Sequence, residues 1–104
     1  MTETELMRRI MVDCADIALL MRYNVGLFYT KNGIPIKIGT KGTSDLIGFR
    51  LSDKKFVAIE TKTDTGRPTK EQRAFLAAMR EYGCIAGIAR NSEEARNIIN
   101  ETVH

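Results

Sequence analysis

Three features of this 104-residue chain predict an α/β fold, a mixed sheet flanked by helices in the order αββββαβα. Apolar residues recur at helical spacing from Thr2 to about Arg22 and again from Thr69 to Tyr82. Asn32-Gly33 stands between two short apolar runs, the pattern of a tight hairpin. Two further apolar runs, around Phe56–Ile59 and Cys84–Arg90, bracket the Thr69–Tyr82 segment. That makes a strand-helix-strand unit, for which a parallel pairing and a right-handed crossover are expected. The length suits one domain over residues 1–104, with one modest core.

In the first segment Leu6, Met7, Ile10, Cys14, Ile17 and Met21 form the helical stripe. Thr2 is its expected N-cap, and Glu5 three positions on completes a capping box. Asn24 and Gly26 mark the exit. Gly26–Thr30 and Ile34–Ile38 are the hairpin strands, and Pro35, which has no N–H to donate, favours an edge. Gly39–Gly42 reads as a basic loop, Ser44–Arg50 as a third strand, Ser52–Lys55 as a turn and Phe56–Lys62 as a fourth strand. After the loop Thr63–Pro68, the Thr69–Tyr82 helix places Phe75, Leu76, Met79 and Tyr82 on one face. Gly83 ends it, as glycine often does. Cys84–Arg90 is nearly all apolar, which predicts burial on both faces. Ser92 is the expected cap of a last helix running to about Asn100, with Glu93 and Glu94 in its first turn.

Charge narrows the partners. The net charge is +3, and Arg22–Arg73 holds eleven Lys or Arg against five Asp or Glu. Such a surplus suits a polyanion. No apolar stretch approaches the ~20 residues of a membrane helix. Met1 leads into polar residues, so no signal peptide is expected. Cys14 and Cys84 fall at apolar positions, and buried free thiols in a reducing, cytoplasmic compartment are expected. No Cys/His cluster suggests zinc. The only histidine is His104, which argues against mechanisms built on a histidine base.

Asp45, then fourteen residues, then Glu60-Thr61-Lys62 is the constellation that carries chemistry. Alternation along a strand puts Glu60 and Lys62 on one face and turns Thr61 away. Asp45, on the neighbouring strand, can converge on them. Mg²⁺ or Mn²⁺ takes a few carboxylates plus waters and phosphate oxygens, so Asp45, Glu60 and the backbone carbonyl of Thr61 would suffice. Such a cation polarises a phosphodiester and acidifies water. Lys62 would orient or deprotonate that water, or steady the developing charge. Against this stands a surface ion pair between Glu60 and Lys62. Gln72 has two readings. It can reach back to cap Thr69, or it can face the strand ends that carry Glu60 and Lys62. Glu3 shares a helix face with Leu6, Met7 and Ile10 and is a further candidate, whereas Glu5 is taken by the Thr2 cap. Lys31, Lys37, Lys41, Arg67, Lys70 and Arg73 lie in loops or near element starts around these residues and are candidate phosphate contacts.

At these residues the chain resembles the PD-(D/E)XK nucleases, and more closely the virus-type replication-repair nuclease (VRR-NUC) domain. The matching text is Gly42–Gly48, Ala58–Lys62 and Gly66–Leu76, followed by Gly83–Arg90 and Asn91–Glu94. The resemblance implies a restriction-endonuclease-like core and a divalent-metal nuclease with Asp45, Glu60 and Lys62 as its catalytic set. It brings Gln72 and an acid of the first helix into the site, without deciding between Glu3 and Glu5. It also implies 5′-phosphate and 3′-hydroxyl products. With no added DNA-reading domain, the sequence is similar to the stand-alone phage and bacterial forms, which resemble junction-resolving enzymes that act as homodimers. A homodimer acting on four-way junctions in a bacterial or phage-infected cytoplasm is therefore expected. The alternatives are a monomeric flap, nick or end-processing nuclease, and a non-catalytic nucleic-acid-binding module.

Overall fold

The computed structural model describes residues 1–23, 26–38 and 45–102, with the backbone alone for 26–28 and 36–38. The chain runs through α1 (Glu3–Asp13), β1 (Ala18–Arg22), β2 (Gly26–Tyr29), β3 (Pro35–Ile38), β4 (Leu46–Arg50), β5 (Phe56–Thr61), α2 (Lys70–Glu81), β6 (Ile85–Ala89) and α3 (Ser92–Ile99). Four strands form one sheet in the order β1-β4-β5-β6, and β2 and β3 form a separate hairpin. The pairs β1–β4 and β4–β5 are antiparallel, and β5–β6 is parallel across α2. This is the mixed sheet flanked by helices that the sequence predicts.

The expected first helix is the main correction. It stops at Asp13, with Cys14 as its C-cap, and the chain turns into β1. Leu6, Met7, Ile10 and Cys14 are buried as a helical stripe. From Ala18 the burial alternates instead, with Ala18 and Leu20 inside and Leu19 and Met21 exposed. The run Ile17–Met21 fits both periods, and neither glycine nor proline marks the boundary. Pairing with β4, from Ala18–Arg50 to Arg22–Leu46, decides for a strand.

Two apolar layers hold the sheet. On one face α1 and α3 pack Leu6, Ile10 and Ile99 against Val57, Ile59, Ile85 and Ala89. On the other, α2 packs Leu76, Phe75 and Met79 over Ala58, Ala86, Ile47 and Ile88. The central strand β5 is thus buried on both faces after Phe56. Each fully buried Val or Ile there contributes about 2 kcal/mol through apolar burial. β6 sends residues into both layers, as its apolar run predicts. Gly87 lets α3 close on it, since a Cβ there would fall 2.8 Å from Ile98 Cδ1.

Smaller expectations also shift. Tyr82 is the C-cap of α2 and 82% exposed, so it lies off the buried stripe. Gly83 follows with φ +86, where a left-handed residue closes the helix. Asn91, not Ser92, caps α3 by accepting the Glu94 N–H, and the Ser92 hydroxyl donates to Asp13 instead. Both residue types cap well, and the one placed a residue earlier has taken the role. At α1 the Thr2 hydroxyl oxygen accepts the Glu5 N–H as expected. The Glu5 carboxylate accepts from the Thr2 hydroxyl rather than from its backbone. Cys14 is buried, Cys84 only half-buried, and both are free.

β4 matters most for function because Asp45 precedes it. Gly48 at its centre lets β1 approach. A Cβ there would run into the Leu19 carbonyl oxygen, which is backbone and cannot rotate away. Gly48→Ala is therefore expected to cost ~3 kcal/mol, at the upper end for overpacking, and to lower Tm by roughly 10 °C or more. Gly33→Asn, in the hairpin turn at φ +80, should leave Tm nearly unchanged because Asn tolerates that conformation. Thermal melts followed by circular dichroism read both.

Candidate active site

The C-terminal end of β5 is polar where the rest of the strand is apolar. Leu46 pairs with Ile59, so the same register carried one residue further sets Asp45 opposite Glu60. The Asp45 backbone is tied down by the Tyr23 N–H, which donates to its carbonyl at 2.7 Å. Its carboxylate is tied down by Thr61. The Thr61 N–H and hydroxyl both donate to Asp45 Oδ2, at 3.1 and 2.7 Å. Thr61 thus holds Asp45 through its side chain, a role that sequence alternation hides by assigning it to the opposite face.

Glu60 sits on the face covered by α2, next beyond Ala58, and is 1% exposed. Its Oε1 accepts from Gln72 Nε2 at 2.9 Å and lies 3.8 Å from Lys62 Nζ. Its Oε2 is buried with no hydrogen-bond partner. A buried carboxylate oxygen without a donor is costly. Burial first, and then the Asp45 carboxylate close by, push the Glu60 carboxyl from 4.5 up to about 8. Lys62 opposes the rise and Glu3 adds to it. Lys62 thus stands 3.8 Å from a buried carboxyl, not in the surface pair that was the alternative.

Both readings of Gln72 are realised at once. Its Oε1 accepts the Thr69 N–H at 2.8 Å, and the Thr69 hydroxyl oxygen accepts the Gln72 N–H at 3.1 Å, a complete capping box. Its amide nitrogen is left over and reaches Glu60. The N-terminus of α2 and the carboxyl cluster are thereby one hydrogen-bonded unit. Lys62 is held from two sides. Its N–H donates to Ala89 O, and its aliphatic stem lies against Gly66, where a Cβ would come within 3.3 Å of Lys62 Cδ.

Glu3 is exposed rather than inward, so it needs no buried partner, and it reaches Glu60 only through space. Glu5 is occupied by Thr2. Lys31, Arg67, Lys70 and Arg73 are exposed. Lys31 stands at the hairpin turn, Lys70 opens α2, and Arg67 and Arg73 line one concavity. Lys41 and the side chain of Lys37 lie outside the described residues. Arg90 lines that same concavity and escaped sequence reasoning, because it ends an apolar strand where a lone cation reads as surface charge.

Among the described residues no group of three or more Asp, Glu, His or Cys side chains closes on one point. Asp45 and Glu60 are the two that converge. Their donor set fits a hard divalent cation that keeps several waters, and such an ion would supply the partner that Glu60 Oε2 lacks. Comparison with known families matches residues 3–93 to the VRR-NUC domain. No curated protein matches the chain.

The Glu60 environment sets a pH dependence for the metal-free protein. The folded state keeps the Glu60 proton up to about pH 8, while the unfolded chain releases it near 4.5. Folding therefore binds a proton across that window. The stability this contributes is fully present below 4.5 and is lost as pH climbs to about 8. Between pH 5 and 8, Tm in EDTA should fall by roughly 10 °C or more from this group. Glu60→Gln should flatten the fall, and a parent profile as flat as the variant's would contradict the assignment.

Proposed function

This chain belongs to the VRR-NUC domain family, a family of nucleases, and on that premise we propose that it is a divalent-metal-dependent endonuclease for branched DNA. The observation that carries the metal dependence is the unpartnered Oε2 of Glu60 beside Asp45. When bound, Mg²⁺ or Mn²⁺ supplies charge neutralisation at the scissile phosphate and makes water a stronger acid. Asp45, Glu60 and the Thr61 carbonyl are the groups that would hold it.

The chain's own residues do the rest. Thr61 fixes the Asp45 carboxylate, and Gln72 fixes Oε1 of Glu60, which leaves Oε2 without a protein partner. Lys62, held near Glu60, orients the attacking water and stabilises the negative charge that builds on phosphorus. The water oxygen bonds to phosphorus, the bond to the 3′-oxygen breaks, and that oxygen takes up a proton. The products are a 5′-phosphate and a 3′-hydroxyl. Glu3 adds negative charge at the rim. The exposed Lys31, Arg67, Lys70 and Arg73 contact backbone phosphates and read no bases, which makes binding strongly salt-dependent.

A domain with one such site cuts one strand at a time. Resolving a four-way junction needs two symmetric cuts. A homodimer with twofold symmetry would match the junction's own symmetry, and such dimers are the commonest closed assembly. The spacing of two sites would then select the branch.

Asp45→Asn and Glu60→Gln should each lower cleavage by ~100-fold or more while DNA affinity holds or rises, since negative charge is removed near phosphate. Lys62→Met should reduce turnover far more than affinity. Chelation by EDTA should abolish cleavage, with Mg²⁺ or Mn²⁺ restoring it. A panel of four-way junction, flap, nicked, linear duplex and single-stranded DNA, run alongside light scattering, tests the substrate and assembly. Junction cleavage by a particle of two chains is expected. A single-chain particle that cuts flaps or ends as well as junctions would overturn it, as would DNA binding without cleavage under either metal.

A further inference from the structure

Next to the carboxyl cluster three arginines share one concavity. Arg67, Arg73 and Arg90 line it together with the loop Asp64–Pro68. Arg90 is the half-buried one of the three. Its Nη1 donates to the carbonyls of Thr63 at 2.6 Å and Gly66 at 2.8 Å, which pins the guanidinium. Its backbone N–H is anchored separately on Glu94. Where arginines staple this fold they take carboxylates, as Arg50 does with Asp53, Arg80 with Glu101 and Arg96 with Asp16. Among the described residues, the three guanidiniums of the concavity pair with no carboxylate. Asp64, the one acid on its wall, forms no ion pair with them.

Three neighbouring cations outnumber the one carboxylate, Asp64, that lines the concavity with them; they repel one another, and an anion bound between them reduces that cost. Guanidinium forks match phosphate oxygens in geometry. Each wall is also one residue from a contact of the site. Arg73 follows Gln72, whose amide bonds Glu60, and a step round the helix sets it beside that cluster rather than on it. Arg90 follows Ala89, whose carbonyl accepts the Lys62 N–H. Gly66 touches the Lys62 stem.

We propose that Arg67, Arg73 and Arg90 form a single subsite for one internal phosphodiester of the substrate strand, adjacent to the scissile phosphate. This rests on the nuclease reading for its location and goes beyond it in assigning Arg90 and in making the three one site. A strand anchored there is positioned over the carboxyl cluster from one side. Arg67 and Arg73 then act on the same charge, so their contributions are not independent.

The test is a charge-neutralisation scan. Fluorescent duplexes carry one methylphosphonate at each successive position, and affinity is read by anisotropy with Ca²⁺ as the cation. Parent, Arg67→Gln, Arg73→Gln, the double variant and Arg8→Gln, an exposed arginine of α1 away from the concavity, are compared. Each single notch variant should weaken binding about tenfold and lower the salt slope by at most one, while the double variant falls little further. One methylphosphonate position should weaken the parent about tenfold and leave the double variant unchanged. Additive losses with two separate sensitive positions would show independent phosphate contacts and overturn the single subsite. Losses no larger than for Arg8→Gln would overturn the notch altogether. A duplex bearing a 5′-phosphate at a nick is the second arm. If it alone restores sensitivity to Arg67→Gln and Arg73→Gln, the occupant is a terminal phosphate and the internal assignment fails. Notch-dependent binding with no cleavage under Mg²⁺ or Mn²⁺ would uphold the subsite and sink the nuclease reading.

Discussion

A carboxyl buried in an apolar sheet organises this molecule. Glu60 lies near the end of β5, which both layers cover, and its neighbours are the donors and charges that such burial demands. Gln72 gives Oε1 a hydrogen bond and Lys62 gives it a counter-charge, while Oε2 has neither. Asp45, across the β4–β5 register, raises the cost of ionising Glu60 further. That arrangement is poor for folding and suited to binding a cation. Its strain is tolerated because the apolar contacts of β5 with α1, α2 and α3 hold the strand in place.

Stability and chemistry meet at two further points. Gln72 closes the capping box of α2 with one end of its amide and holds Glu60 with the other. The helix start and the site therefore cannot shift independently. Arg90 draws the loop after Lys62 toward β6 through two carbonyls, so the lysine's backbone and stem are fixed by the element that also lines the arginine concavity. The antiparallel half of the sheet contributes differently. Gly48 admits β1, and the Tyr23 N–H at the end of that strand fixes Asp45.

Much of this was legible in the sequence, and the failures share a cause. The hairpin was marked by Asn32-Gly33, and β5 and β6 by apolar runs that local chemistry bounds. Asp45, Glu60 and Lys62 were legible because alternation and strand ends are local rules. β1 was not, because Ile17–Met21 satisfies helix and strand periods equally and only the β4 edge decides between them. Gln72 looked like a choice between cap and site because a sequence does not show that one amide has two ends. Glu3 followed a helical stripe that ends short of the first turn. Arg90 and the Thr61 hydroxyl act across 24 to 27 and 16 residues of sequence, respectively, and no spacing rule announces them.

The central claim is that a divalent cation completes Glu60 and displaces its proton. Calorimetric titration of the metal-free protein with Mn²⁺ at pH 7, repeated in buffers of different ionisation enthalpy, counts protons released per cation bound. The account predicts close to one proton released in the parent and almost none in Glu60→Gln, which should also bind more weakly. Cation binding to the parent with no proton release, or release that survives Glu60→Gln, would contradict it.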